Sequence, residues 1–247
     1  MKLALLGLGR MGEAVERHAL TAGHEIVTKL DIDTNPGGDA LREALKGAEV
    51  VVEFTHPDAV VRNIEDVTGA GIPMVVGTTG WYDRIDEVRG VVESNGTGLV
   101  WAANFSIGAQ LLERLAEHAA AFLDRFDEYD PYVVEHHHRG KRDHPSGSGV
   151  RLADKILAAM RRKSRAIVGN PDGQIPADGL HVASLRAGEA FGKHTVGFDA
   201  AAETVELIHT ARSRAGFAQG ALYAAEWIRN RTGFYEFSEL FDKVHDA

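Results

Sequence analysis

The sequence predicts an α/β fold in two parts, a parallel-sheet half before Ser106 and an α+β half after it. Three observations predict this. The apolar run KLALLG leads into the glycine run GLGRMG and then a helical pattern, the order of a strand buried on both faces, a turn and a helix. Further apolar runs, HEIVTKLD, AEVVVEF, IPMVVG and TGLVWAA, alternate with helical stretches. Beyond them, HVASLRAG, HTVGFDA and ETVELIHTA follow one another with only short turns between, which predicts a mixed open sheet.

Composition sets bounds. The 247 residues are 44% hydrophobic and 26% charged, as in ordinary globular proteins, and suffice for one large domain or two modest ones. A net charge of −9 speaks against a nucleic-acid partner. With no cysteine there are no disulfides and no thiolate chemistry, which suits a reducing cytoplasm. The first apolar run breaks into glycines too soon for a signal peptide. No run of about 18 apolar residues exists, so no membrane partner is expected.

In order along the chain, Gly7, Gly9 and Gly12 form G-x-G-x-x-G between a strand and a helix. Gly7 allows a tight turn, Gly9 lets a pyrophosphate approach the backbone, and Gly12 lets helix and strand pack closely. The helix N-terminus then faces the phosphates, with Arg10 and Met11 in the loop. Asp31, at the end of the second strand, is placed to accept hydrogen bonds from an adenosine ribose. This half therefore reads as a Rossmann dinucleotide-binding domain, for NADH or NADPH. Loops at the carboxyl ends of its later strands should line the crevice: Phe54 and Thr55; Gly77, Thr78 and Thr79; Ala103, Asn104 and Phe105. Thr78 and Thr79 have the alternative of simply closing a turn. Asp31 and Asp33 favour free ribose hydroxyls, and the cations near them are Arg10 and Lys29.

The second half opens with an amphipathic helix, IGAQLLERLAEHAAAFL, whose stripe is Leu112, Leu115, Ala116, Ala119, Phe122 and Leu123. A strand, DPYVVEHHH, and a helix, SGVRLADKILAAMRR, follow. The chain closes with the helix FAQGALYAAEWIRN and an aromatic tail, GFYEFSELF, able to return to the first half. Residues 135–165 carry nine Lys/Arg against three acids in an acidic protein, which points to a small anionic ligand. Arg161 to Arg165 have the alternative of a solvated basic helix face.

The densest chemistry is VVEHHHRGKRDHPSGSG. Strand alternation sends His136 and His138 to one face and His137 to the other, so the three cannot share a metal, and no metal site is expected. Ser146, Gly147 and Ser148 stand where backbone N–H groups at a helix start, expected near Val150, would hold an anion. Lys141 adds a charge nearby. A titratable His, an ammonium and an anion cradle next to a dinucleotide domain suit hydride transfer to an anionic substrate with proton delivery.

The run E-H-H-H-R-G-K-R-D-H-P-S-G-S-G resembles the E-x-H-H-x-x-K-x-D-x-P-S-G-T-A signature of the 4-hydroxy-tetrahydrodipicolinate (dihydrodipicolinate) reductase family. GLGRMG, EFTHP, GTTGW, AANFSIG, SLRAGEAFGKHTVGFD and HTARSRAGFAQGAL extend the likeness along the chain. The resemblance implies NAD(P)H-dependent reduction to tetrahydrodipicolinate on the diaminopimelate route to lysine. It implies His137 as proton donor and acceptor, Lys141 as its cationic partner, and His138, Gly147 and Ser148 on the substrate carboxylates, with Arg186 near that pocket. It also implies a homotetramer, with residues 106–217 for substrate binding and oligomerisation and residues 1–105 and 218–247 for the dinucleotide. Ser148 and Gly149 depart from the usual Thr and Ala but keep a hydroxyl and a small side chain. The rival readings are an amino-acid or sugar dehydrogenase of the same fold, which would lack this run, and a non-catalytic dinucleotide sensor, which would have no use for His137 with Lys141.

Overall fold

The computed structural model describes residues 1–242 in two compact units, Met1–Ser106 with the chain from Arg214 onward, and Ile107–Ser213. The expected boundaries, 105/106 and 217/218, fall within a few residues of these. Residues 243–247 of the expected first domain lie outside the described residues.

In the first unit, β1 (Lys2–Leu6), β2 (Glu25–Leu30), β3 (Val50–Glu53), β4 (Met74–Val76), β5 (Gly98–Trp101) and β11 (Gly233–Glu236) form one sheet in the order β11-β5-β4-β3-β1-β2. Every pairing in it is parallel. The interior strands are apolar runs because both faces are covered: Leu3, Leu5, Val52 and Val100 pack on one side, and Ala4, Leu6, Val51 and Val76 on the other. The helices are α1 (Arg10–Thr21), α2 (Gly38–Ala44), α3 (Pro57–Gly69), α4 (Ile85–Ser94) and α7 (Ala215–Ile228). Pro57 opens α3 at the position where a missing N–H costs nothing. The short α2 has no counterpart in the sequence reading. α7 packs through Ala218, Ala221, Ala224 and Ala225, and a Cβ at Gly220 would collide with the Phe105 carbonyl. The aromatic tail adds β11 beside β5 and then a 3₁₀ turn, Phe237–Phe241.

In the second unit, β6 (Asp130–His137) is flanked by β8 (Gly179–Arg186), parallel, and β9 (Gly192–Asp199), antiparallel. β7 (Arg165–Val168) and β10 (Thr204–Ala211) complete the order β10-β9-β6-β8-β7. α5 (Ile107–Leu123) and α6 (Gly147–Ala159) cover one face, around Leu112, Ala116, Leu152, Ile156, Val133 and Val196. α5 has the expected bounds, but its buried stripe runs Leu112, Ala116, Ala120, Leu123, while Leu115 and Phe122 are exposed within this unit. Arg151–Glu113, Lys155–Glu117 and Arg161–Asp124 bridge α6 and its end to α5 at 2.8–3.0 Å.

The solvated basic face is therefore corrected. α6 stops at Ala159. Arg162 donates to the carbonyls of Leu123 and Tyr129. Lys163 is 4% exposed, its ammonium held by Asp130 and the carbonyls of Ala177 and Gly179. Arg165 starts β7. Burial of a Lys demands such partners, and no local pattern announced it. No helix among the described residues is long and apolar enough to cross a membrane.

Candidate active site

In the first sheet, the order reverses between β1 and β3, because β2 lies on one side of β1 and later strands on the other. A ligand crevice is expected outside the carboxyl ends there, and one of about 400 Å³ is present. Gly9, Asp31, Phe54 and Thr55 of the expected residues line it. Gly7 has φ +90°, and a Cβ on it would collide with Phe54 O. A Cβ on Gly12 would collide with Gly7 O, so its smallness serves the loop itself. At Gly9 a Cβ would meet nothing within 4 Å, and no side chain caps α1 there, which fits a phosphate at the helix N-terminus.

The remaining expected residues do not line the crevice. Arg10 is exposed at the start of α1, and Met11 is half-buried. Gly77 makes room for the Phe54 ring. Thr78 is buried and its hydroxyl accepts from Thr55 N at 2.7 Å, which ties the loop after β4 to the loop after β3. Thr79 and Ala103 are exposed, and Asn104 accepts from Ser106 N at 2.8 Å. Phe105 is a core residue against Phe54 and Phe237.

Sequence reading missed the far wall of the crevice. Glu53, fully buried at the end of β3, accepts from the hydroxyl and N–H of Thr55. Asn63 Nδ2 donates to Thr55 Oγ1 at 3.3 Å, and Asn35 Nδ2 to Asn63 Oδ1 at 2.9 Å. Asn35 Oδ1 takes Gly37 N–H at 3.1 Å. This chain of bonds holds the loop after β2, and Arg62, from α3, also lines the crevice. The available signal was Asn63 itself, a polar residue within the apolar face Val60, Ile64, Val67.

Burial pushes the Glu53 carboxyl up, against hydrogen bonds from Thr55, Thr78 and Asn63 that pull it down. An acid with a raised folded pKa contributes stability while protonated and loses it as pH rises through that pKa. Glu53→Gln cannot ionise. Its melting temperature should gain on the parent as pH rises above the ordinary carboxylate range, and parallel curves would mean that Glu53 does not titrate in the folded protein.

In the second unit, the register of β6 sets Glu135 opposite His194 on β9 and His137 opposite Arg186 on β8. Glu135 is fully buried, His137 is 7% exposed, and Nδ1 of His137 lies against Oε2 of Glu135. Glu135 Oε1 accepts from Arg186 Nη2 at 2.7 Å and from Ser146 N at 3.2 Å. Burial works to raise Glu135, but the neighbouring His137, Arg186 and Ser184 outweigh it and hold the carboxyl well below the usual carboxylate range. The His194 ring stands edge-on to His137 at 5.2 Å, and Ser146 Oγ lies 3.3 Å from His194 Nε2. Burial, with the His137 charge next in size, pushes His194 down to about 4.

The consecutive histidines diverge, as alternation requires. His136 lies on the opposite face from His137 with Nε2 3.0 Å from Ala187 O, and exposed His138 lies beyond the strand end. Lys141 pairs with Asp143 at 2.8 Å, and its charge is felt at His194. Ser146 is the N-cap of α6, accepting from Gly149 N at 3.1 Å. The helix thus begins at Gly147 rather than near Val150, and Gly147 and Ser148 belong to its first turn. Arg186, expected at the carboxylate pocket, gives Nη2 to Glu135 and to Asp143 O, and Nη1 to Leu185 O. Glu135, His137 and His194 bring ligand atoms within 4.8 Å of one another. Arg186 already balances the one carboxylate of that set, which makes it a proton-handling cluster more than a cation cage. Glu135 and His194 were missing from the expected site, although both lie inside quoted motifs.

A parallel sheet with a crevice at its switch point defines a protein of the dinucleotide-binding class, and its second unit sets a buried imidazole beside a helix N-terminus. The family description Dihydrodipicolinate reductase, N-terminus, matches residues 1–105, and Dihydrodipicolinate reductase, C-terminus, matches residues 108–241. The chain belongs to the dihydrodipicolinate reductase family, NAD(P)H-dependent oxidoreductases of the diaminopimelate route to lysine. The 4-hydroxy-tetrahydrodipicolinate reductase of Christiangramia forsetii is 32% identical over 99% of both chains. That of Thiobacillus denitrificans is 39% identical over 82% of this chain and 76% of its own. A dipicolinate-bound dihydrodipicolinate reductase from Paenisporosarcina shares the fold, with TM-score 0.79 at 22% identity over 97% of this chain and 99% of that one.

Proposed function

We propose that in this chain His137 carries the proton and Lys141 the stabilising charge for reduction of 4-hydroxy-tetrahydrodipicolinate, or the dihydrodipicolinate formed from it, to tetrahydrodipicolinate. The observation that carries this reading is a buried His137 at the end of β6, in one cluster with the N-cap of α6. A bound reduced dinucleotide supplies hydride; Gly9, Asp31, Phe54 and Thr55 are the residues to hold it. As hydride reaches the conjugated ring, charge builds up along it. The His137 imidazolium delivers the proton and returns to the neutral imidazole, and Lys141 offsets the charge and attracts the dianion. The first turn of α6, Gly147 and Ser148, with His138, holds a carboxylate. The test is oxidation of NADH or NADPH with freshly made product of the preceding aldol-type synthase; no rate above background would overturn the reading.

Pyridine-2,6-dicarboxylate, a planar mimic of the ring, should compete with substrate and raise the melting temperature. Ser148→Ala should weaken it, and Lys141→Ala should weaken it more. Affinity unmoved by either change would place the substrate elsewhere.

NADH should serve at least as well as NADPH. The Asp31 carboxylate lines the crevice and repels a ribose phosphate, Lys29 is paired to Glu16 at 2.9 Å, and Arg10 does not line it. Arg62, on the far wall, is the cation that works the other way. A kcat/KM preference for NADPH beyond about tenfold, some 1.4 kcal/mol, would mean that Arg62 outweighs Asp31.

A cytoplasmic homotetramer completes the reading. Association of copies is supported by Val134, Leu185 and Ile208, exposed on the sheet face opposite α5 and α6. Light scattering at the mass of one chain would refute it.

A further inference from the structure

His137 ends β6 and Glu135 stands two residues before it, so alternation puts both side chains on one buried face. Arg186, from β8, balances the Glu135 charge, and Ser146 N–H fills another acceptor position. Arg186 is itself anchored on Asp143 O at 2.6 Å. His194, from β9, is kept neutral by burial, so it does not compete for a proton near pH 7. His209, opposite His194 on β10, and Lys141, with Asp143, are further titratable groups close enough to act on His194. On the remaining side is Gly192: a Cβ there would stand 3.0 Å from His137 Nε2.

We infer that Glu135 is the positioning residue of His137, holding the Nδ1 proton so that Nε2, left uncovered by Gly192, is the nitrogen that exchanges with substrate. A neutral imidazole has one N–H, and the partner of that N–H decides which ring nitrogen is free. A carboxylate on Nδ1 selects the Nδ1–H tautomer and stabilises the imidazolium when Nε2 is protonated. Arg186 acts through Glu135, keeping it ionised in a site where burial favours the neutral acid. This inference rests on His137 as the proton carrier.

Glu135→Gln keeps the shape and removes the charge. It should lower kcat about tenfold or more with KM for NADH and affinity for pyridine-2,6-dicarboxylate little changed. The alkaline limb of its kcat/KM profile should move to lower pH, because the imidazolium has lost its counter-charge. In ¹⁵N-histidine spectra the parent should show His137 as the Nδ1–H tautomer, and Glu135→Gln should show it mixed. Where Glu135→Gln leaves Arg186 uncompensated and fails to fold, Gly192→Ala keeps both charges. It should leave the tautomer signal intact and lower kcat by covering Nε2, with NADH affinity at the parent's value showing that the strain of an alanine at φ +159° has not unfolded the chain. An Nε2–H tautomer in the parent would overturn the inference. So would a Glu135→Gln enzyme with parental kcat and pH profile, or a Gly192→Ala enzyme with parental kcat. The spectra do not depend on turnover, so an active His137→Gln enzyme would sink the role of His137 and leave the assignment of the hydrogen bond standing.

Discussion

His137→Gln and Lys141→Ala are each expected to lower turnover by about 10²-fold or more, the range for lost proton transfer or lost charge stabilisation. That factor corresponds to about 2.7 kcal/mol of activation free energy. Gln can still hydrogen-bond to Glu135 but cannot carry a proton at either position. Lys141→Ala removes the ammonium and leaves Asp143, its partner at 2.8 Å, uncompensated in the same loop, so the loss should exceed that of an isolated surface charge. NADH affinity, read by fluorescence titration, should stay within about twofold of the parent, because the dinucleotide residues belong to the other compact unit. Near-parental turnover in both variants would remove the proposed roles.

The second large effect separates two glycines of one motif. Gly7→Ala places a Cβ against the Phe54 carbonyl at a φ of +90°, which couples overpacking to an unfavourable backbone. Such clashes cost about 1–3 kcal/mol, and the backbone conformation adds about 1 or more. The first unit should melt several degrees lower, and dinucleotide binding should fall with it. Gly9→Ala meets no protein atom within 4 Å. It should melt as the parent does and lose NADH affinity tenfold or more, if the pyrophosphate approaches that backbone. Calorimetry with NADH titration decides it. Parental affinity in Gly9→Ala would move the pyrophosphate away from the glycine loop.

Much of this molecule was legible because the relevant constraints are local. Gly7 must be glycine for a reason present in any chain that turns so tightly. Pro57 and Ser146 mark helix starts by their own chemistry, and α5 shows its bounds by periodicity. The order strand, glycine loop, helix, strand leads directly to Asp31 and to the crevice. A histidine, Lys141 and the Ser146 turn could be read together because they lie within one short run, and it was the family resemblance that pointed to His137 among the three histidines.

What only the tertiary structure decided are the partnerships across that run. Glu135 meets His194 and His137 meets Arg186 because β9 and β8 pair with β6 in one register. A slip of two residues would preserve every inward and outward side chain while dissolving the cluster, so alternation alone cannot select it. The same holds for Lys163, whose burial depends on carbonyls of Ala177 and Gly179, and for the link from Glu53 through Asn63 to Asn35. Residue types and local spacing determined which chemistry the chain carries. Non-local strand pairing and burial decided which groups meet, and with them that Glu135 is held charged and His194 neutral.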